Sequence, residues 1–144
     1  MEYTLAIIKP DAVGRHLAGR ILAHLEEDGF RIRGLRMLRL AEAQAREFYA
    51  VHRGRPFYEP LVRFMTSGPC IPVLLERQDA VARLRVVIGA TDPKEAEPGT
   101  VRALYAESKE RNAIHASDAL ETAEREARFF FALADVLGTA PVPG

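Results

Sequence analysis

Tyr3-Thr4-Leu5-Ala6-Ile7-Ile8, followed at once by Lys9-Pro10-Asp11, sets the reading of the whole chain. Residues 3–8 alternate and are rich in β-formers, and Pro10 then withdraws a ladder donor, so a strand ending in a polar corner is expected. Beyond the corner, Ile21, Leu22 and Leu25 fall at helical spacing within residues 18–28, and Gly29 stands where a left-handed cap would close the helix. Strand, helix and glycine open a βαβ-like unit. Phe30, Ile32, Gly34, Leu35 and Met37 alternate imperfectly with Arg31, Arg33, Arg36 and Arg39. That reads as a second strand with one basic face, and the shift of phase near Gly34 predicts a bulge.

Residues 42–51 and 58–65 are short helical segments punctuated by Pro56 and Pro60, the pattern of a helical hairpin. After Ser67-Gly68-Pro69, the almost wholly apolar run 70–75 predicts a strand buried on both faces, with Pro72 anomalous in its middle. Val81, Leu84 and Ile88 mark a helix over 79–88 that Gly89 closes, and residues 90–99 form a loop of the length that often carries function. Ile114-His115 fits a very short strand, and Ser117-Asp118, with Glu121 three residues past Asp118, predicts a helix start. Leu120, Ala123, Ala127, Phe130, Phe131 and Ala134 would form the apolar stripe of that helix. Without the hairpin the order is βαββαβ. The expected fold is α+β, a ferredoxin-like sandwich with a four-stranded antiparallel sheet, helices on one face and an inserted helical hairpin. One domain over 1–137 and a flexible tail over 138–144 are expected.

A chain of 144 residues buries roughly 68–70% of its unfolded surface, and 48% hydrophobic residues suffice for one core. Twenty Lys plus Arg balance twenty Asp plus Glu, so the electrostatic footprint of a general nucleic-acid binder is missing and stable nucleic-acid partners are not expected. Cys70 is the single cysteine, which excludes a disulfide framework or a cysteine zinc site and fits a reducing cytoplasm. No window approaches eighteen apolar residues, and Met1-Glu2-Tyr3-Thr4 carries no charged-then-apolar leader, so neither export nor a membrane is expected.

Neither G-x-x-x-x-G-K-[ST] nor G-x-G-x-x-G occurs, so a phosphate site here must use side chains. Lys9, one of only three lysines beside seventeen arginines, sits at the carboxyl end of the first strand, where sites gather. Arg85, Thr91 and Arg102 are placed to converge on phosphate, although singly each reads as a surface residue. His16, His24 and His52 lie in polar or amphipathic company and read as solvated or half-buried rings. His115 differs, because it precedes the expected helix start, where backbone amides favour an anion. Glu126, two helical turns past Asp118, would point back toward it, and a buried carboxylate on one imidazole nitrogen leaves the other for nucleophilic or base chemistry. Phe57, between Pro56 and Tyr58, either stacks a nucleobase or packs beneath the hairpin.

Asn112-Ala113-Ile114-His115-Ala116-Ser117-Asp118 resembles the N-x-x-H-G-S-D signature of the nucleoside diphosphate kinases. Further blocks resemble that family in the same order: Ile8-Lys9-Pro10-Asp11, Tyr49 with Arg55-Pro56-Phe57, Ser67-Gly68-Pro69, Gly89-Ala90-Thr91 with Pro93, and Pro98-Gly99-Thr100-Val101-Arg102. The resemblance runs from about Tyr3 to about Phe131 and implies ping-pong transfer of a γ-phosphoryl between nucleotides through a phosphohistidine at His115. It further implies that Lys9, Arg85, Thr91, Arg102 and Asn112 hold phosphates and ribose, that Phe57 stacks on the base and that Tyr49 sits beside Lys9. Glu126 matches the glutamate that orients the histidine and Ser117 the serine beside it. Mg²⁺ is implied on the nucleotide phosphates, with no metal site made by the protein, and a homo-oligomer is implied, a tetramer or hexamer built from dimers.

Two positions depart from the pattern. Ala116 stands where glycine is usual, which would matter if that position needs a positive φ. Ala103-Leu104 stands where Gly-Asp is usual, removing a carboxylate near Arg102. Slower turnover would follow, and the alternative reading is a family member that binds nucleotide with weak or no turnover. A ferredoxin-like RNA-binding module is a third reading, but its aromatic sheet signature is missing.

Overall fold

The computed structural model describes residues 1–137. The tail expected over 138–144 lies outside them. The strands are β1 (Glu2–Ile8), β2 (Arg31–Leu35), β3 (Ile71–Arg77) and β4 (Ile114–Ala116), in the order β2-β3-β1-β4. Every neighbouring pair is antiparallel. The βαββαβ order is therefore realised as a ferredoxin-like sheet with the long strands β1 and β3 in the middle. β1 pairs from Glu2↔Arg77 to Ile8↔Ile71 on one side and from Ala6↔Ala116 to Ile8↔Ile114 on the other. The register of β2 on β3 shifts between Ile32 and Gly34, as the sequence phase predicts. Gly34 stands at the shift, and a Cβ there would lie 2.8 Å from the Phe131 ring, so the position has no room for a side chain.

Because side chains alternate along a strand, β1 feeds two layers. Ala6 and Ile8 face a core with Val73, Leu75 and the helices α2 (Ala18–Glu27) and α5 (Ala80–Ile88). Leu5 and Ile7 face a second core with Leu74, α3 (Glu42–Phe48), α4 (Tyr58–Met65) and α7 (Leu120–Phe130). The expectation of helices on one face only is thus corrected. The inserted hairpin, joined through a 3₁₀ turn at Ala50–His52, and α7 cover the other face, which explains why residues 70–75 read as an almost wholly apolar run and why β1, read as alternating, is buried on both faces. Pro72 sits in β3 opposite Ile7, and its carbonyl accepts from the backbone N–H of Arg36 at 3.2 Å.

Two short helices were not expected. α1 (Pro10–Gly14) begins at the proline read as a corner; proline lacks the N–H that a first-turn residue does not need. α6 (Val101–Tyr105) starts at Thr100, whose Oγ1 accepts from the backbone N–H of Ala103 at 3.3 Å. The last long helix also starts later than expected. Its N-cap is Ala119 rather than the Ser117-Asp118 pair, and Leu120 is 63% exposed. The helix ends at Phe130 with Phe131 as its C-cap, and α8 (Leu133–Leu137) follows, so the expected stripe is broken and Ala134 is exposed.

Candidate active site

At the carboxyl end of β1 the backbone N–H of Lys9 donates to the carbonyl of Ala113 at 2.9 Å. Two residues on, Asp11 is buried and its Oδ2 accepts from the backbone N–H of Ala113 at 3.1 Å. Both main-chain groups of Ala113 are therefore held by the Lys9-Pro10-Asp11 corner. Ala113 has φ 73°, and the N–H of Ile114 donates to the carbonyl of Asn112 at 2.9 Å, closing a γ-turn of the rare, strained hand. Left-handed backbone costs an alanine about 1–2 kcal/mol.

This turn leads into β4 and anchors a cationic lining. Asn112 Oδ1 accepts from Lys9 Nζ at 2.8 Å, and Asn112 Nδ2 donates to the Thr91 carbonyl at 3.3 Å. Arg102, buried on α6, donates from Nη2 to the Ile114 carbonyl at 2.7 Å, from Nη1 to Gly89 at 3.1 Å and from Nε to Asn112 at 3.4 Å. Arg85, on α5, donates from Nη1 to the carbonyl of Ala116 at 3.4 Å. Burial, then the charge of Arg102, pulls Lys9 down to about 8 against the opposing pull of Asp11. Burial, then Arg85, pulls Arg102 down to about 10. Two buried cations of depressed basicity, Lys9 and Arg102, crowded together with Arg85, are the electrostatic signature of a site that takes an anion.

His115 pairs with Ile7 across the sheet, so its side chain enters the second layer. There its Nε2 lies 2.7 Å from Glu126 Oε1 on α7, and Ser117 Oγ donates to the same oxygen at 2.7 Å. Glu126 is buried, and the His115 side chain is 19% exposed. Phe48 and Tyr49 meet the imidazole edge-to-face at 5.6 and 6.3 Å. With Nε2 engaged, Nδ1 is the nitrogen left for chemistry. The Tyr49 hydroxyl is buried without a hydrogen-bond partner, and burial, then Glu126, pushes its pKa far above the ordinary tyrosine range.

A cleft of about 550 Å³ is lined by Lys9, Tyr49, Phe57, Arg85, Thr91, Arg102, Asn112, His115 and Glu126. Nine of the ten expected site residues meet there, and Ser117 stands behind Glu126. Phe57 is 49% exposed, so packing beneath the hairpin is not its role in the free chain. His52 was read as an uninvolved ring, yet it lines the cleft with its ring 4.9 Å from that of Phe57. Leu61, Asp118, Thr122 and Arg125 were also missed. Leu61 was findable, because it follows Phe57 by four residues at the start of a helix; His52 lies in a 3₁₀ turn with no periodic signal. Ala116 is a strand residue, and the left-handed non-glycine positions among the described residues are His16, Asp79 and Ala113. The strain anticipated at Ala116 is therefore absent and falls on Ala113 instead. Leu104 is 54% exposed, and Arg102 is held by carbonyls without the missing carboxylate.

Among the described residues no three His, Cys, Asp or Glu side chains converge as metal ligands, and no helix is long and apolar enough to cross a membrane. Fold and site together define a class: a ferredoxin-like protein holding a carboxylate-oriented histidine inside a cationic cleft. The family model described as nucleoside diphosphate kinase matches residues 2–136. Nucleoside diphosphate kinase of Chlorobium chlorochromatii is 54% identical over 137 residues, 95% of this chain and 98% of that protein. Among solved structures, the Aquifex aeolicus nucleoside diphosphate kinase superposes with a TM-score of 0.90 at 46% identity, covering 92% of this chain and 96% of the other. The Halobacterium salinarum enzyme, solved in complex with CDP, gives 0.87 at 41% identity, covering 91% and 88%. The chain belongs to the nucleoside diphosphate kinase family.

Proposed function

We propose that this chain is an active nucleoside diphosphate kinase that moves the γ-phosphoryl of a nucleoside triphosphate, typically ATP, onto a nucleoside diphosphate through His115, supplying CTP, GTP, UTP and deoxynucleoside triphosphates. The observation that carries this reading is the Ser117–Glu126–His115 chain of short hydrogen bonds inside a cleft lined by Lys9, Arg85 and Arg102. The Nδ1 lone pair attacks the γ-phosphorus, the bond to the β–γ bridging oxygen breaks, and the nucleoside diphosphate leaves. Glu126 keeps Nε2–H oriented and offsets the positive charge on the phosphorylated ring. A terminal oxygen of the second diphosphate then attacks phosphorus, the P–N bond breaks and the imidazole is restored. Lys9, Arg85 and Arg102 neutralise charge on the transferring oxygens, and Thr91 and Asn112 position phosphate and ribose.

Phe57 stacks the base, with Leu61 beside it in the lining. Every base has a π face, so stacking accepts any of them. The CDP bound by the Halobacterium salinarum relative supports a nucleoside diphosphate in this cleft. Mg²⁺ fits as a rider on the phosphates: most charged groups of the lining are cationic, Glu126 is committed to His115 and Ser117, and exposed Asp118 is the carboxylate that would hold it. Bound there, the ion supplies neutralisation of the phosphate oxygens. The reading further places the protein in the cytoplasm as a homo-oligomer, a tetramer or hexamer built from dimers, with exposed Leu35 and Met37 beside the free edge of β2 as apolar surface for assembly.

The test is incubation with Mg²⁺ and γ-labelled ATP. Wild type acquires acid-labile, base-stable label, His115→Ala does not, and GDP removes the label as GTP. A wild type that binds nucleotide yet stays unlabelled would replace this reading with a non-catalytic binding member.

A further inference from the structure

We infer that Asp11 is a positioning residue for phosphoryl transfer, acting through the strained turn at Ala113. The inference rests on the kinase reading above and assigns a task to a carboxylate that lines no part of the cleft. Asp11 is 3% exposed; Oδ2 takes the Ala113 N–H at 3.1 Å, and Oδ1 is buried without a partner. A carboxylate so poorly solvated is costly to keep unless its partners matter: it feels the charge of Lys9 and it accepts from the Ala113 N–H. That hydrogen bond fixes one end of Ala113, and the Lys9 N–H fixes the other by holding its carbonyl at 2.9 Å. Arg102 grips the flanking carbonyls of Asn112 and Ile114.

Ala113 is thus pinned at φ 73° from several directions. Relaxing to negative φ would rotate the adjoining peptides, carry Asn112 Oδ1 off Lys9 Nζ and shift the entry into β4, with His115 two residues away. Asp11 touches none of the reacting atoms. It holds open a backbone conformation from which the nucleophile and a phosphate-binding lysine are both aimed.

The test compares wild type, Asp11→Ala, Asp11→Asn and the double variant Asp11→Ala/Ala113→Gly. Single-turnover labelling of His115 from saturating γ-labelled ATP with Mg²⁺ gives the chemical rate, and calorimetry gives ADP affinity. Misaiming the nucleophile makes Asp11→Ala slower by about tenfold or more, while ADP affinity, weakened only through Asn112 and Lys9, falls by clearly less than the rate. Asp11→Asn, which retains an acceptor oxygen, stays within about threefold of wild type. Glycine adopts positive φ without strain, so the double variant recovers about threefold or more over Asp11→Ala. A wild-type rate in Asp11→Ala, no recovery in the double variant, or ADP affinity falling in step with the rate would overturn the inference. If Asp11→Ala does not fold, the double variant decides: folded and labelled supports the inference, unfolded or unlabelled sinks it. An unlabelled wild type would instead remove the kinase reading itself.

Discussion

Replacing Tyr49 with phenylalanine should stabilise the nucleotide-free protein and impair it as an enzyme. The Tyr49 ring is 5% exposed and packs against Phe48 at 4.9 Å and His52 at 6.3 Å, contacts that phenylalanine keeps. Only the hydroxyl goes, and it is buried without a partner. An unsatisfied buried hydroxyl costs about 1–3 kcal/mol, and we take the lower figure because the group lines the cleft. At about 2–4 °C per kcal/mol for a chain near this size, Tm rises by about 3 °C. On the kinase reading the same hydroxyl donates to a phosphate oxygen once nucleotide binds, and burial, then Glu126, keeps it protonated well into the alkaline range. Losing a hydrogen bond to a charged acceptor costs about 1.5–3 kcal/mol, so kcat/KM falls roughly 10- to 100-fold. Thermal unfolding with and without ADP, alongside steady-state transfer from ATP to GDP, reads both effects. A lower Tm without nucleotide would show that the hydroxyl is already satisfied, and an unchanged kcat/KM that it never meets phosphate.

The pH dependence of stability follows from Lys9, whose pKa drops from 10.5 to about 8, mainly through burial. Between those values the unfolded chain binds more protons than the folded one. Stability therefore rises with pH across that window, the charged-lysine penalty being fully present below about pH 8; urea midpoints at pH 7.5 and 9.5 should show a gain in wild type that shrinks in Lys9→Met. Phe57→Ala should weaken ADP, GDP and CDP alike by about 1–3 kcal/mol in calorimetry, with Tm unmoved; loss confined to one base would refute stacking. Gly89→Ala meets φ 86° and puts a Cβ 2.5 Å from Thr100 Oγ1. It should cost about 1–3 kcal/mol and slow transfer by disturbing the α6 cap and the carbonyl that holds Arg102, and an unchanged melting curve would contradict this.

The strands and the two sheet-packing helices of the βαββαβ frame were legible because their signal is local: apolar period, glycine caps, a phase slip at Gly34. What misled was punctuation with two meanings. Pro10 ends a strand and also starts α1, and Ser117, which has the chemistry of a helix cap, spends its hydroxyl on Glu126 instead. The covering of the second face was not legible either, since nothing local in the hairpin says which layer it packs on. At the site, His115 and Glu126 stood out from their neighbours and from family-like motifs. The left-handed Ala113 left no trace, because an alanine carries no preference for that conformation; tertiary contacts impose it, from Lys9 and Asp11 a hundred positions away and from Arg102 on the neighbouring carbonyls.

β1 is made first, yet one of its edges waits for β4, whose pairing with it also closes the Lys9–Asn112 contact across 103 positions. At about 5–20 residues per second, roughly 5–20 s pass between synthesis of the two strands. Until then the growing chain shows an open, apolar strand edge of the kind that recruits chaperones or other chains. On the kinase reading phosphate is handled only after Glu126 has been made, so a labelled His115 is expected only in chains whose last strand has docked. Truncated chains released before that point are unfinished both as folds and as catalysts, and one labelling reaction sorts them from complete ones.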